Sequence, residues 1–285
     1  MSQETRPHVF VAGPVAWNLL IYLRELPRPE PHMTNAWKFH HTLGGTSAGK
    51  TLNLCQLGAQ VTLRTLVGDD VEAQHALRWL REAGATVIAE VDPDGRTEQH
   101  VNLMSDDGGR VSLYLTLPTL VDTLHRAQTY AALADADAVV IDLADGGRPL
   151  LHEALHIGAP IWVDLHDYDG QDPFHDEFIA SATSLFLSSD QMPDPRPFMA
   201  ERIAAGARLV VCTHGSRGAT AVDSGGTWYE VPAVDVDEVV DANGAGDAFF
   251  SAYLMAWLRG ATVPDALTAA AAHAARCVES AELAP

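Results

Sequence analysis

Short runs rich in valine, isoleucine and leucine recur along this chain, and most are followed by a helical pattern that ends near a glycine. The predicted strands are Val9–Gly13, Val61–Val67, Thr86–Glu90, Ala138–Leu143, Ile161–Leu165, Ser184–Leu187 and Leu209–Thr213. The predicted helices are Ala48–Leu57, Val71–Ala83, Pro149–His156, His175–Ala182 and Pro197–Ala205. Strands that alternate with helices form βαβ units. The pattern therefore predicts an α/β fold with a mostly parallel central sheet flanked by helices, in which ligands bind at the carboxyl ends of the strands.

Two segments interrupt this alternation. In Asn35–Leu43 and Glu98–Leu117, apolar and polar residues alternate, and the second segment contains the turn sequence Asp106-Asp107-Gly108-Gly109. Such a pattern is typical of antiparallel strands with one exposed face. A small additional β-structure is predicted from these segments.

The segment Asp241–Phe250 combines two aspartates and two glycines ahead of an apolar run that continues to Leu258. It follows the extended-looking run Trp228–Val240, which predicts a strand, a glycine turn and a buried helix. Gly244 and Gly246 allow backbone N–H groups to approach a ligand, and the positive end of the helix favours an anion there. Asp247 would repel that anion unless it removes a proton from an attacking hydroxyl. A simple helix cap explains each residue singly, but not their occurrence together.

The sequence Asp241-Ala-Asn-Gly-Ala-Gly-Asp247 resembles the D-T-x-G-A-G-D signature of the PfkB/ribokinase family of carbohydrate and nucleoside kinases, with Ala242 in place of threonine. Further segments resemble other family motifs in the same order along the chain. They are Val9–Gly13 for the first strand, Leu43–Gly45 with Leu57–Ala59 and Val67–Asp70 for the N-terminal signature, and Thr213–Ala219 for the nucleotide loop.

The resemblance implies a ribokinase-like, Rossmann-like three-layer fold with one kinase domain over residues 1–285. A small β-sheet lid would be formed by segments of about 17–42 and 96–118, and two copies could pair through it. The implied reaction is phosphoryl transfer from ATP, with Mg²⁺ and with K⁺ in several relatives, to a hydroxyl of a small sugar, polyol or nucleoside. The resemblance implies Asp247 as the base, and it implies an anion hole formed by Gly244, Ala245, Gly246 and Asp247. The implied nucleotide site contains Thr213, Gly215, Gly218 and Asn243, and the implied acceptor site contains Asn18, Gly44, Gly45 and Gly49. Asp241 is implied to bind a monovalent cation.

The chain departs from the family pattern at several positions. Ala16 and Asn18 stand where the family has Asn and Asp after the first strand, and Gly49 replaces an asparagine. These changes argue against a plain ribokinase or fructokinase. Residues 188–191, Ser-Ser-Asp-Gln, stand where the family has the motif N-x-x-E. The family glutamate orients Mg²⁺ through water. Gln191 lacks the charge for this role, which Asp190 could supply. A family member that binds sugar or nucleotide but has lost most of its catalysis is therefore the second hypothesis.

A rival motif overlaps the N-terminal signature. Residues 44–51 match the P-loop pattern G-x-x-x-x-G-K-[ST] and precede a predicted helix, which suggests a nucleotide hydrolase as a third hypothesis. Residues 37–41 are too polar for the buried strand that normally leads into a P-loop. If the match is coincidental, Lys50 is either a solvated helix residue, the interpretation we favour, or a contact to the acceptor.

The charge and the cysteines limit the possible partners and compartment. The chain has 18 Lys and Arg against 38 Asp and Glu, a net charge of −20 that disfavours binding to nucleic acid or anionic membranes. No stretch approaches the ~20 apolar residues needed to span a bilayer, and residues 1–7 lack a signal-peptide core. Cys55, Cys212 and Cys277 match no metal pattern and indicate reduced core residues in a cytosolic protein. Three histidines are interpreted as lining of the cleft or surface rather than as metal ligands: His40, His41 and His166.

Overall fold

The computed structural model of the protein describes residues 6–119, 124–280 and 283–284. Most of the segment 1–7, for which no signal-peptide core is predicted, lies outside these ranges. None of the helices that the structure describes combines the length and apolarity needed to cross a membrane. The cytosolic location stays a prediction.

The described residues form thirteen strands. They are β1 (His8–Ala12), β2 (Ala16–Leu23), β3 (Lys38–Gly44), β4 (Gln60–Gly68), β5 (Thr86–Asp92), β6 (Gln99–Ser105), β7 (Arg110–Thr116), β8 (Ala138–Ile141), β9 (Ile161–Asp164), β10 (Ser184–Ser188), β11 (Leu209–Thr213), β12 (Ala219–Asp223) and β13 (Trp228–Val231). Nine of them build one sheet in the order β13-β12-β11-β10-β9-β8-β1-β4-β5. All neighbours in this sheet are parallel except β11–β12 and β12–β13. The predicted mostly parallel sheet is confirmed.

Helices cover both faces of this sheet. They are α1 (Thr46–Gln56), α2 (Val71–Glu82), α3 (Arg126–Ala134), α4 (Arg148–His156), α5 (Asp176–Ser181), α6 (Arg196–Ala204), α7 (Ala245–Leu258) and α8 (Val263–Val278). Val9 and Val11 of β1 belong to the core formed with α1, α7 and α8, whereas Phe10 and Ala12 belong to the core formed with α3 to α6. Successive residues of a strand point to opposite faces, so a strand between two helical layers must be apolar throughout. The three-layer arrangement is confirmed.

A second sheet, the lid, has the strand order β3-β2-β6-β7. Strands β2 and β3 overlap the predicted lid segment of about 17–42 but extend to residues 16 and 44, and β6 and β7 lie within the segment of about 96–118. The pairs β2–β3 and β6–β7 are antiparallel whereas β2 and β6 are parallel, so the predicted antiparallel character is only partly correct. The Tyr22 hydroxyl of β2 donates to Asp241 Oδ2 (3.2 Å), and Arg110 of β7 donates to Asn243 Oδ1 (3.4 Å). These two contacts connect the lid to the segment that precedes α7. Pairing of two copies through the lid stays a prediction.

Several elements differ from the sequence expectation. Strands β2 and β12 and helices α3 and α8 were not predicted, and helix α1 begins at Thr46 rather than Ala48. The extended run predicted for Trp228–Val240 is wrong beyond Val231, because Pro232 offers no backbone N–H for continued pairing with β12. An irregular segment, not a strand, therefore leads into the glycine turn at 244.

Candidate active site

The carboxyl ends of the central strands and the first turn of α7 meet at one place. Asp142 follows β8, Asp164 is the last residue of β9, and Asp247 lies in the first turn of α7. Contacts to a common partner, the Lys50 ammonium, bring the three carboxylates together. Parallel strands place their carboxyl ends at the same edge, so this grouping follows from the sheet topology.

The glycine turn before α7 has the predicted form. Gly244 has φ +83°, a left-handed conformation that favours glycine, and a Cβ at Gly246 would meet nothing within 4 Å. Asp241 Oδ1 accepts a hydrogen bond from the Asn243 N–H (2.8 Å), which holds the turn. The Ala245 N–H donates to the Ala242 carbonyl at 3.3 Å, whereas the first turn of a helix in general leaves N–H groups free for an anion.

Lys50 does not lie where the sequence suggested. The interpretation as a solvated helix residue is wrong, because the side chain is fully buried. Its Nζ lies 2.9 Å from Asp247 Oδ1, 3.0 Å from Asp142 Oδ1 and 3.2 Å from Asp164 Oδ2. An unpaired ammonium at this depth would be very costly, so the three carboxylates are what permits its burial.

The same contacts shift the pKa values in the site. Burial raises the pKa of Asp247 to about 6, although Lys50 opposes the shift, and Asp142 adds to it by repulsion. Burial alone would lower the pKa of Lys50, but the three aspartates hold it well above its ordinary value. Burial would also raise the pKa of Asp164, yet His166 and Lys50 bring it below the ordinary value. A carboxyl with a pKa near neutrality is suited to accept a proton at pH 7.

Small residues on α1 make room for these carboxylates. A Cβ placed on Gly49 would lie 2.5 Å from Asp247 Oδ2, so any side chain at position 49 would displace the Asp247 carboxylate. Two residues earlier, the Ser47 hydroxyl donates to Asp142 Oδ2 at 2.6 Å. Gly49 therefore leaves the space in which the Asp247 carboxylate approaches Lys50.

Two of the predicted acceptor residues, Asn18 and Gly44, lie together where β2 meets β3, whereas Gly45 precedes α1 and Gly49 lies within it. Asn18 of β2 is buried and contacts Gly44, where a Cβ would collide with the Asn18 amide. Asn18 Oδ1 has no hydrogen-bond partner among the described residues. Gly45 precedes α1 with φ +88°, a conformation that favours glycine. A buried, unpartnered oxygen suits a ligand hydroxyl.

The predicted nucleotide residues lie in two groups. Thr213 ends β11, and Gly215 and Gly218 follow it in the loop to β12, both with positive φ. Asn243 lies in the turn before α7, where it receives the hydrogen bond from the lid. Nothing in the geometry contradicts these assignments, and they stay predictions.

The residues offer only limited ligands for a metal. Among the residues that the structure describes, no group of three or more His, Cys, Asp or Glu side chains could hold a metal ion. Asp190 is exposed at the end of β10, beside the strand that leads into the nucleotide loop. Mg²⁺ is commonly held by one or two carboxylates plus substrate phosphates, so Mg²⁺ that enters with a nucleotide fits Asp190. Both Asp241 oxygens already accept hydrogen bonds, from Tyr22 and from the Asn243 N–H, so a K⁺ ion there would compete with them.

The structure contradicts the P-loop hypothesis. The segment before Gly44 is β3, which belongs to the lid and not to the central parallel sheet. The lysine of a P-loop must be available to phosphates, whereas Lys50 is buried among three carboxylates. The match at residues 44–51 is therefore coincidental.

Sequence reasoning missed two residues of the site and undervalued a third. Asp142 and Asp164 were not assigned a role, although a carboxylate directly after an apolar strand is a usable signal. His166, predicted only to line the cleft or the surface, has φ +53° and places Nδ1 3.4 Å from Asp164 Oδ2. His40 and His41 belong to β3 of the lid.

The chain is similar in sequence to known carbohydrate kinases. Residues 189–284 match the family model described as pfkB family carbohydrate kinase. The chain is 30% identical over 264 residues to acarbose 7(IV)-phosphotransferase of an Actinoplanes species. The aligned region covers 91% of this chain and 87% of that protein. It is 28% identical to fructoselysine 6-kinase of Escherichia coli, over 83% of this chain and 89% of that one.

The fold of the chain is similar to that of solved kinase structures. The microbiome-derived acarbose kinase Mak1 superposes with a TM-score of 0.85 at 27% identity, over 97% of this chain and 94% of that chain. Ribokinase of Arabidopsis thaliana, solved with ribose and ATP, has a TM-score of 0.81 over 99% of this chain and 96% of that chain. At 19% identity, the second likeness shows the ribokinase-like fold alone. The chain therefore belongs to the pfkB family of carbohydrate kinases and is a phosphotransferase with a hydroxyl group as acceptor.

Proposed function

We propose that the protein transfers the γ-phosphoryl group of ATP to a hydroxyl of an unphosphorylated sugar, polyol or nucleoside, with Asp247 as the general base. One observation carries the proposal: the Asp247 carboxyl, with a pKa of about 6, lies in the first turn of α7 directly after the glycine turn. This position supports a role for Asp247 as base beside a helix terminus that would bind the phosphoryl group.

The proposed reaction needs few protein groups. The acceptor hydroxyl oxygen forms a bond to the γ-phosphorus, its proton passes to Asp247, and the bond from the γ-phosphorus to the bridging oxygen breaks to release ADP. Backbone N–H groups of the 244–247 turn stabilise the charge of the transferred group. Mg²⁺, when bound with the nucleotide, would neutralise phosphate charge. Thr213, Gly215, Gly218 and Asn243 are proposed to border the nucleotide.

The acceptor is proposed to lie against Asn18, Gly44, Gly45 and Gly49. The unpartnered Asn18 Oδ1 supports recognition of a neutral hydroxyl. A phosphorylated acceptor would need a cationic cradle, but one of the chain's two lysines, Lys50, is already saturated by three carboxylates. Two relatives are named for acarbose and fructoselysine, which carry no phosphate in their names, whereas a third relative, at 27% identity, is named for ribose 1-phosphate.

The acceptor class can be tested with a panel. We expect turnover with at least one neutral compound among ribose, inositol, fructoselysine, acarbose and several nucleosides, measured as ADP release. Fructose 6-phosphate, tagatose 6-phosphate and ribose 1-phosphate serve as phosphorylated comparisons. Efficient use of a sugar phosphate with no neutral compound phosphorylated would refute the proposed acceptor site. ATP binding without any phosphorylation would instead favour the regulatory hypothesis.

The raised pKa of Asp247 gives a pH dependence. The base works only when deprotonated, so kcat/KM should be nearly constant above about pH 7 and should fall tenfold for each further pH unit below about pH 6. Initial rates between pH 4.5 and 9 at saturating ATP would measure this fall of kcat/KM at low pH, the acid limb of the pH profile. An acid limb near pH 4, the range of an ordinary carboxyl, would contradict the assignment.

A further inference from the structure

Lys50 is buried completely, and its partners include the proposed base. The only other lysine of the chain, Lys38, is exposed in the lid. Lys50 Nζ donates a hydrogen bond to Asp247 Oδ1 at 2.9 Å. No donor to Asp247 Oδ2 is present among the described residues, and Oδ2 lies against Gly49, where no side chain competes for the space. The two oxygens of the base are therefore not equivalent.

The charges around Asp247 come from several elements. Lys50 is on α1, Asp142 follows β8, Asp164 and His166 are at and after β9, and Cys277 of α8 is close enough to interact. One ammonium faces three carboxylates, so the site carries an excess of negative charge when all three are ionised. A structural ion pair needs only one carboxylate, and removal of the cation would leave buried like charges together.

We infer that Lys50 is a positioning residue for the base: its ammonium fixes Asp247 through Oδ1, leaves Oδ2 to accept the acceptor proton, and keeps the carboxyl ionised at neutral pH. This inference rests on the proposed function. Lys50 does not touch the reacting atoms in this arrangement. It sets the orientation and the charge state of the group that does.

The electrostatic signs support this role. Burial raises the pKa of Asp247, Lys50 lowers it, and Asp142 raises it. Loss of the Lys50 charge should therefore raise the pKa of the Asp247 carboxyl, whereas loss of the Asp142 charge should lower this pKa. Two substitutions in the same cluster are thus expected to act in opposite directions, which a purely structural role of the cluster would not produce.

The test compares Lys50→Met, Asp142→Asn and the control Lys38→Met, which removes the same charge at an exposed position. The acid limb of kcat/KM in Lys50→Met should move to higher pH by at least about one pH unit, because an opposite charge within ~4–6 Å changes a carboxyl pKa by about 1–3. If the midpoint of the acid limb moves from about pH 6 to about pH 8, kcat at pH 7 should fall roughly tenfold and should be largely recovered at pH 9. Asp142→Asn should move the limb to lower pH, and Lys38→Met should leave it in place. The affinity for a non-hydrolysable ATP analogue should stay nearly unchanged in all three.

Carboxyl ¹³C NMR titration of Asp247, assigned with Asp247→Asn, measures the same midpoint without any turnover. Unchanged midpoints in folded Lys50→Met or in Asp142→Asn would overturn the inference, as would a loss of activity in Lys50→Met that does not recover at high pH. If Lys50→Met does not fold, Lys50→Gln takes its place, and an unchanged midpoint of Asp247 in that variant would overturn the inference. Failure of the proposed function would look different: the wild-type protein would phosphorylate no acceptor, while the NMR midpoints would still respond to Lys50.

Discussion

Replacement of Asp247 by asparagine is expected to lower kcat by about 10²–10⁴-fold, the usual contribution of a general base. Asparagine keeps the size of the side chain and can still accept a hydrogen bond from Lys50, but it cannot take up a proton at neutral pH. Steady-state rates with the preferred acceptor would measure the loss of kcat. Calorimetric titration with a non-hydrolysable ATP analogue would measure the affinity for the nucleotide. Nucleotide affinity should survive.

A matched control is Asp194→Asn, which removes the same charge at an exposed position. It should retain the wild-type rate. Wild-type turnover in Asp247→Asn would show that the proposed base is wrong. An equal loss in both variants would point to the net charge of the protein instead of to Asp247.

The second large effect is expected at Gly49. A methyl group at this position would lie 2.5 Å from Asp247 Oδ2, closer than atoms can approach, so Gly49→Ala should displace the carboxylate by a substantial fraction of an ångström. Misplacement of a catalytic group by ~1 Å can cost about 10²-fold in rate. We therefore expect a loss of about 10–10²-fold in kcat with little change in the affinity for ATP.

A double-mutant cycle separates this mechanism from general damage to helix α1. In an Asp247→Ala background the colliding carboxylate is absent, so the added Gly49→Ala should cause almost no further loss of activity. Losses that multiply in the double variant would contradict a direct collision. Thermal unfolding of the four proteins would detect any destabilisation of α1 itself.

Lys50 shows why a motif match needs its tertiary context. Residues 44–51 fit the P-loop pattern, and a lysine after a glycine turn suggests phosphate binding. In the fold, Gly44 ends a lid strand, and the Lys50 ammonium is paired with a carboxylate that follows β8, one at the end of β9 and one in α7. The sequence places these carboxylates 92 or more positions away from Lys50, so no local pattern could reveal them.

The sequence by itself determined the central architecture and the glycine turn. Buried parallel strands must be apolar on both faces, which makes runs such as Val9–Ala12 and Ile161–Val163 visible without a structure. The turn at 244–247 was predictable because glycine conformation and a helix terminus are local properties. The lid hairpin β6–β7 was visible for the same reason, since the alternation and the turn lie in one continuous segment.

The tertiary structure alone decided the strand order, the parallel pairing of β2 with β6 and the surroundings of Asp247. Strand β2 follows β1 after a short connection, and its pairing with a distant segment leaves no trace in its own residues. The raised pKa of Asp247 depends on burial and on charges from α1, β8 and β9, which are long-range quantities. The sequence therefore identified the proposed base, whereas the packing of these elements set its charge and its orientation.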